Sequence, residues 1–504
     1  MKLIVIGAGI TGLAAAHRVL ELAAAAGAPL DLQVIDAADR PGGSIRTTRE
    51  STPLGEILVE WGADSFFTEK PWAENLARRL GLGELLVATR DDPRTRRALI
   101  LHRGRLLPVP QGFQLLAPAE WPAFLATPLL SWRGKLRAAC EPFIPRRRGA
   151  AAEEDESVGA FVRRRLGREC LDRLAQPLVG GIYTGSPDGL SLRATLPRFA
   201  AFERDYGSVV RGLRATAGEQ RNASGARYGL FASFDAGMQT LTGALARVIG
   251  PDRLRLGVEA QSLGRRNGVF ALGLAGGESL PADAVLLALP AAASARLLSE
   301  LDPELSALLG SIRTASSAIV TLAWAREDVP HPLDAFGFVA PQVEKRRILA
   351  VTFSSVKFDG RSPPGVALIR AFLGGNLAPG SLEAPDSSLV EAACAELGEI
   401  LGVRKPPIFS AVHRHPASMP QYEPGHLGRV EAIRRAAARH RGLALAGNWL
   451  EGVGIPDSVH SGELAGALAG GLAGELAGEL AGEARREGAG EALLENLNGR
   501  ESTR

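Results

Sequence analysis

The residue types best suited to chemistry stand at the start of the chain. They are the glycines of Gly7-Ala8-Gly9-Ile10-Thr11-Gly12 and the acid Asp36. At this spacing Gly7 permits a tight turn, Gly9 lets a pyrophosphate approach the backbone, and Gly12 lets a helix pack on a strand. A carboxylate further along can accept hydrogen bonds from a ribose hydroxyl pair. The elements that must position these groups are also legible. Leu3 to Ile6 is an apolar run suited to a buried parallel strand. Leu13 to Leu22 reads as a helix whose free N–H groups would hold phosphates. Asp31 to Ile35 is a second strand that delivers Asp36. A glycine-rich turn alone often only packs; strand, glycines, helix, strand and acid in this order predict a dinucleotide site.

Bulk properties set the frame. A chain of 504 residues exceeds one compact core, so two or three domains are expected. The net charge of +3 is small and the basic residues are scattered, so nucleic acid is not an expected partner. Arg146 to Arg148 and Arg163 to Arg165 are the dense basic runs; a solvated loop and helix face account for them, and an acidic membrane surface or acidic substrate is the alternative. Cys140, Cys170 and Cys394 are isolated, with neither a disulfide framework nor a metal spacing, so no metal is expected. No apolar run is long enough to span a membrane, and a strand beginning at Lys2 leaves no room for a signal peptide. A cytoplasmic protein is expected.

Further along, Leu58 to Phe67 reads as a strand entering a glycine turn, with a helix from Pro71 to Leu80 after it. Ala98 to Pro110 is a hairpin turning at Arg103-Gly104. Leu115 to Cys140 reads as helical and carries Trp121 and Trp132. A plain helical subdomain accounts for it, and a face lying on a membrane surface is the alternative. Ser157 to Leu174 reads as one amphipathic helix, with Val158, Phe161, Val162, Leu166, Cys170, Leu171 and Leu174 on its apolar face and Arg163-Arg164-Arg165 mostly elsewhere. Strands are expected over Leu254 to Glu259, Asp283 to Pro290 and Leu443 to Trp449, with a strand-rich half starting at Ile319 to Ala323. A helix capped by Asp457 or Ser458 follows, and its LAGE/LAGA repeat carries many glycines, which lower helix stability. From Arg485 onward disorder is expected.

Arg40-Pro41-Gly42-Gly43 resembles the RxGG segment of the flavin amine oxidase superfamily. Gly180-Gly181-Ile182-Tyr183-Thr184-Gly185, Leu190 to Thr195, Pro197-Arg198-Phe199 and Tyr206-Gly207-Ser208 resemble, in this order, the HemY-type oxygen-dependent porphyrinogen oxidases of haem synthesis. The hairpin, Glu141 to Pro145, Ser354 to Phe358 and Arg414 to Tyr422 match them too. The resemblance extends to about Leu472.

It implies an α/β (α+β) fold: a Rossmann-type FAD domain, a mixed-sheet substrate domain and a helical insertion. The FAD domain would comprise residues 1–90, 226–292 and 439–484. The hairpin and helical insertion would occupy 91–225, the substrate domain 293–438 and a disordered tail 485–504. Non-covalent FAD would be held by Gly7, Ala8, Gly9, Ile10, Thr11, Gly12, Asp36, Arg40, Gly42, Gly43 and Ser44. Gly62, Ala63, Asp64, Ser65, Val258, Gly447, Val453, Gly454 and Ile455 would complete the site. The implied reaction converts a porphyrinogen to a porphyrin, with O2 as acceptor and H2O2 released. The substrate would be coproporphyrinogen III or protoporphyrinogen IX, with a lean to the first. Lys70 is the candidate catalytic residue, for proton transfer or propionate binding. His415 and His426 read as structural loop residues. Implied partners are the porphyrinogen, the inner face of the membrane by peripheral contact, and the next haem-pathway enzyme. Rival readings are a flavin amine oxidase or carotenoid desaturase, and a non-catalytic porphyrin-binding flavoprotein. The rival enzymes share the glycine turns but not GGIYTG or MPQY. Amine oxidases also often frame the amine with aromatics, and this chain has four tyrosines.

Overall fold

The computed structural model describes residues 1–148, 154–216, 231–375 and 379–471. The tail expected to be disordered lies outside them.

Two sheets organise the chain. The first is parallel, and its two central strands carry the buried, unbroken apolar runs Leu3 to Ile6 and Ala284 to Leu287. Its order is Leu254–Leu256, Asp31–Asp36, Lys2–Ile6, Ala284–Leu287, Leu443–Leu445. In chain order that is 3-2-1-4-5, the doubly wound arrangement, with its switch point between Lys2–Ile6 and Ala284–Leu287. The end strands are shorter than the sequence suggests: the expected Leu254 to Glu259 stops at Leu256, and Leu443 to Trp449 stops at Leu445. The second sheet has seven strands, ordered Phe409–Pro420, Thr314–Ala325, Val366–Gly374, Ile348–Phe353, Gly337–Val339, Ala98–His102, Arg105–Pro108. It is mixed, since Gly337–Val339 runs parallel to Ala98–His102 while its other pairs are antiparallel. The early hairpin is therefore an edge of this sheet.

The region between the hairpin and residue 216 is helical but more broken than its periodicity suggests. Leu115 to Cys140 begins with strand Ala117–Pro118, paired to Phe113–Gln114 just before it, and continues with two helices, Trp121–Ala126 and Trp132–Ala139. Pro118, Pro122 and Pro128 explain the breaks. The expected single helix from Ser157 is interrupted at Gly167, whose φ of +95° lies outside helical geometry. The apolar face survives the break: all seven residues assigned to it are buried. The arginine run does not all point elsewhere, because Arg165 is fully buried. Its guanidinium pairs with Glu141 at 2.5 Å and donates to the carbonyls of Ile144 and Gly207 at 2.7 and 2.8 Å. Glu141 in turn accepts from the Val209 N–H at 2.9 Å, at the start of helix Val209–Ala215.

The last helix runs over 455–471, starting before the expected cap at Asp457 or Ser458. Gly462 and Gly466 in it are contacts rather than defects. A Cβ on Gly462 would stand 2.2 Å from the Thr11 carbonyl oxygen, and one on Gly466 2.6 Å from that of Ala15. The four-residue glycine spacing thus lays this helix backbone-to-backbone against helix Ile10–Ala26. Leu464 and Leu468 face outward. Gly462→Ala should cost about 1–3 kcal/mol by overpacking. Gly428→Ala, in helix His426–Ala437 with open space around its Cβ position, should gain about 0.4–1 kcal/mol. Urea midpoints of the two variants should move in opposite directions; a shared direction would refute the contact reading.

Candidate active site

The glycine turn sits at the carboxyl ends of the parallel strands, at the switch point. Gly7 has φ +107°, and a Cβ there would lie 2.4 Å from the Ala288 carbonyl oxygen on the neighbouring strand exit. A Cβ on Gly12 would lie 1.8 Å from the Gly7 carbonyl oxygen. Helix Ile10–Ala26 starts after Gly9 with no side-chain cap and no acid in its first turn. Seventeen residues of aligned peptide dipoles therefore present uncompensated N–H groups, as a phosphate site requires. Thr11 is buried and Ile10 half-buried in that first turn.

The second loop closes on the first. The Gly42 N–H donates to the Ala8 carbonyl at 2.8 Å, and a Cβ on Gly43 would lie 3.1 Å from Gly9 Cα. The Arg40 guanidinium donates to the Gly43 and Ile45 carbonyls at 2.7 and 3.0 Å, so it shapes its own loop. Gly43 and Ser44 are exposed. Asp36 accepts from the Ala8 N–H at 2.6 Å and the Ala38 N–H at 2.8 Å, leaving lone pairs for further donors. The Val258 N–H donates to the Asp36 carbonyl at 2.9 Å, which brings this distant residue beside the acid.

Residues 62–65 lie next to this loop, since a Cβ on Gly62 would stand 2.0 Å from the Ser44 carbonyl oxygen. Ala63 is exposed. The Asp64 carboxylate is tied to Lys357 at 2.9 Å and Arg370 at 3.3 Å. Burial pushes its pKa up, but the two cations and its hydrogen bonds outweigh that and hold it well below the usual range. Lys70 meets Asp457, in the first turn of helix 455–471, at 2.6 Å. Val453 packs against the helical core and Ile455 against the nucleotide core, so the turn before that helix joins the two. Gly447, at the exit of the last parallel strand, donates its N–H to Ser461 Oγ at 3.0 Å.

Segments remote in sequence converge beyond this turn. Gln421 Nε2 donates to the Tyr183 carbonyl at 3.0 Å, and the Ser191 N–H donates to the Tyr422 carbonyl at 2.6 Å. The Tyr422 hydroxyl donates to the Asn448 carbonyl, and its ring stacks on His426 with centroids 4.1 Å apart. His426 is buried and hydrogen-bonds the Leu450 carbonyl through Nε2 at 3.1 Å. His415 Nε2 contacts the Trp61 carbonyl at 2.8 Å. Neither histidine is itself a loop residue, since His415 lies in strand Phe409–Pro420 and His426 starts helix His426–Ala437, but each holds a loop carbonyl. Lys357 lies within the matched segment Ser354 to Phe358, but nothing in the sequence marks it, Arg361 or Arg370 as partners of residues 62–65.

The match of a family model for flavin-containing amine oxidoreductases over residues 10–468 decides the family. The chain belongs to that family. Its flavin cofactor suits the uncapped helix and the glycine-lined loops. A Bacillus subtilis (strain 168) protein named coproporphyrinogen III oxidase is 32% identical over 92% of this chain and 96% of its own. A Propionibacterium freudenreichii protein of the same name is 36% identical over 91% of this chain and 88% of its own. A crystal structure from Exiguobacterium sp. 255-15, assigned as a protoporphyrinogen oxidase, superposes with a TM-score of 0.81 at 30% identity. That match covers 93% of this chain and 98% of the other.

The site also carries a pH dependence. Burial, then the neighbouring His415, Arg46 and Arg40, push His413 down to about 4. The unfolded chain takes up this proton near pH 6.5, whereas the folded one does so near 4. The contribution is therefore whole above pH 6.5 and is lost as pH falls toward 4. His413→Gln should flatten the fall in urea midpoint between about pH 7.5 and pH 5; an unchanged slope would exclude this ring as a source.

Proposed function

We propose that this protein oxidises a porphyrinogen to a porphyrin in haem biosynthesis, with coproporphyrinogen III as the preferred substrate. The observation that carries this reading is the meeting of GGIYTG, LSLRAT and MPQY around Gln421 and Tyr422, beside the turn that precedes helix 455–471. The bacterial relatives' names and the near-complete coverage support it.

Residues 1–90, 226–292 and 439–484 form the FAD domain in this reading. FAD, when bound without a covalent link, supplies the hydride acceptor that O2 regenerates with release of H2O2. The first helix and Gly9 hold the pyrophosphate, Asp36 the ribose, and Val258 the adenine side. Arg40 keeps Gly42, Gly43 and Ser44 in place. The backbone of Gly62, Ala63, Asp64 and Ser65 and that of Gly447, Val453, Gly454 and Ile455 would hold the flavin ring. Three two-electron steps remove six hydrogens from the porphyrinogen and reduce three O2 to three H2O2. Aromatisation drives the sequence, so the chain needs no strong base.

Lys70 serves the substrate in this reading. It is an ammonium already held by a carboxylate, which suits exchange onto a propionate. With FAD-loaded protein in air, porphyrin fluorescence should grow faster from coproporphyrinogen III than from protoporphyrinogen IX, with peroxide released. Lys70→Ala should raise KM for the four-carboxylate substrate by roughly 10-fold while changing kcat little. Oxidation of neither substrate despite bound FAD would favour the amine oxidase or desaturase reading, or the inert carrier.

A peripheral contact with the inner face of the membrane is part of this proposal. Among the described residues no helix is long and apolar enough to cross a membrane. Trp132, Leu136 and Phe143 are nonetheless 68%, 58% and 84% exposed, and Trp132 and Leu136 share one face of helix Trp132–Ala139. Arg133 and Lys135 flank them, as an interfacial helix on anionic lipid requires. Co-sedimentation with vesicles containing phosphatidylglycerol should be strong and should fall several-fold in a Trp132→Ser/Phe143→Ser double variant. Equal binding by both proteins, or none by either, would remove this contact.

A further inference from the structure

Arg370 is an anomaly of the seven-stranded sheet. It lies within the interior strand Val366–Gly374, opposite Thr321 on one neighbour and Thr352 on the other, and is 2% exposed. A guanidinium buried there is costly unless its donors are met, and an apolar residue of similar volume would be tolerated more easily. Its two terminal nitrogens are met by residues 62–65, while Nε has no partner among the described residues. One nitrogen donates to the Gly62 carbonyl, and another lies 3.3 Å from Asp64 Oδ2.

Two further cations from the same half of the chain converge on this loop. Lys357 Nζ lies 2.9 Å from Asp64 Oδ1 and 3.0 Å from Ser65 Oγ. Arg361 donates to Ser233 Oγ at 2.8 Å, and Ser233 Oγ donates to the Asp64 carbonyl at 2.7 Å. The other acid nearby, Glu60, accepts from Thr47 Oγ1 and the Met238 N–H, at 2.7 and 2.8 Å. Both ends of the loop are thereby fixed: the Gly62 carbonyl by Arg370, the Asp64 side chain by Lys357 and Arg370, and the Asp64 carbonyl by Ser233. Between these contacts only Ala63 is exposed. These contacts come from Arg370 on the seven-stranded sheet, from Lys357 in the helix that follows its strand Ile348–Phe353, and from Ser233 on strand Phe231–Phe234, not from the parallel sheet that carries the glycine turn.

We propose that Arg370 and Lys357 are positioning residues that fix the backbone of residues 62–65 against the flavin ring and so couple the seven-stranded sheet to flavin reactivity. The inference rests on the reading of residues 62–65 as flavin-facing given under Proposed function. A planar fork reaches the Gly62 carbonyl and Asp64 together, and a lysine in its place cannot do both. Loss of one loop hydrogen bond leaves the fold's two sheets intact but lets the backbone shift at the ring, where small displacements carry large kinetic effects.

The test uses the full chain with Arg370→Lys, Lys357→Arg and Lys357→Gln. Four readouts are the absorption and fluorescence of bound FAD, FAD affinity of stripped protein, kcat and KM, and thermal midpoint. Arg370→Lys should shift the flavin bands and lower kcat by roughly 10- to 100-fold, with KM and midpoint close to those of the unsubstituted protein. Lys357→Gln should act likewise, and Lys357→Arg should recover most of the loss. Unchanged flavin bands and kcat would overturn the proposal, as would losses that only follow the folded fraction. If Arg370→Lys does not fold, the Lys357 pair decides by the same criteria. Flavin bands that respond in these variants while no porphyrinogen is oxidised would uphold this inference and sink the functional reading. No flavin uptake by the unsubstituted protein would sink both.

Discussion

Close approach of peptide backbones around helix Ile10–Ala26 is the constraint on which the nucleotide half depends. Gly12 brings the helix onto the Gly7 carbonyl, and Gly7 brings its own turn onto Ala288. On the opposite side Gly462 and Gly466 bring the final helix onto Thr11 and Ala15. A side chain at any of these positions would force elements apart that now touch through main-chain atoms. The uncapped first turn of helix Ile10–Ala26 is consequently held at one place relative to the strand ends. Its N–H groups are then fixed dipoles that need not reorganise when a phosphate arrives.

The other half of the site is held by charge. Buried ion pairs are poor sources of net stability, because desolvation offsets their attraction. Their value here is geometric. The Asp64, Lys357 and Arg370 group joins a loop near the chain start to helix Ser354–Lys357 and strand Val366–Gly374, far later in the chain. The helical region repeats the device with Arg165 and Glu141, which tie helix Val158–Arg165 to the start of helix Val209–Ala215. Glu203 belongs to the same set: burial raises its pKa, and Arg164 and Arg165 more than reverse that. Apolar packing alone would let these short helices slide, whereas a directed fork and a helix-end carboxylate allow one register.

The two sheets meet where the turn before helix 455–471 lies. Val453 and Ile455 belong to different cores, and Tyr422, stacked on His426, ties the end of the long edge strand to the Asn448 and Leu450 carbonyls. This places the segments that resemble porphyrinogen oxidases against the end of the nucleotide sheet. Fold and proposed chemistry are thus linked by a few buried hydrogen bonds, not by a continuous motif.

What the sequence determined by itself was local or periodic. The strand–glycine–helix start, the hairpin at Arg103-Gly104 and the apolar face from Val158 to Leu174 depend on neighbours within a few residues, and short-range sterics and burial period encode them. Ordered motif matches added the family. Breaks were less legible: Gly167 stops a helix that periodicity would continue, because the apolar stripe is restored after the bend. The long-range polar contacts were not legible at all. Arg165 reads as part of a solvated basic run, Arg370 carries no local signal, and the glycines of the last helix read as weak points. Only the tertiary structure decided that the two arginines are buried partners and that Gly462 and Gly466 are contacts. The physical reason is that a charge or a missing side chain acquires its role from whichever remote backbone is brought against it, and nothing in its own neighbourhood records which one that will be.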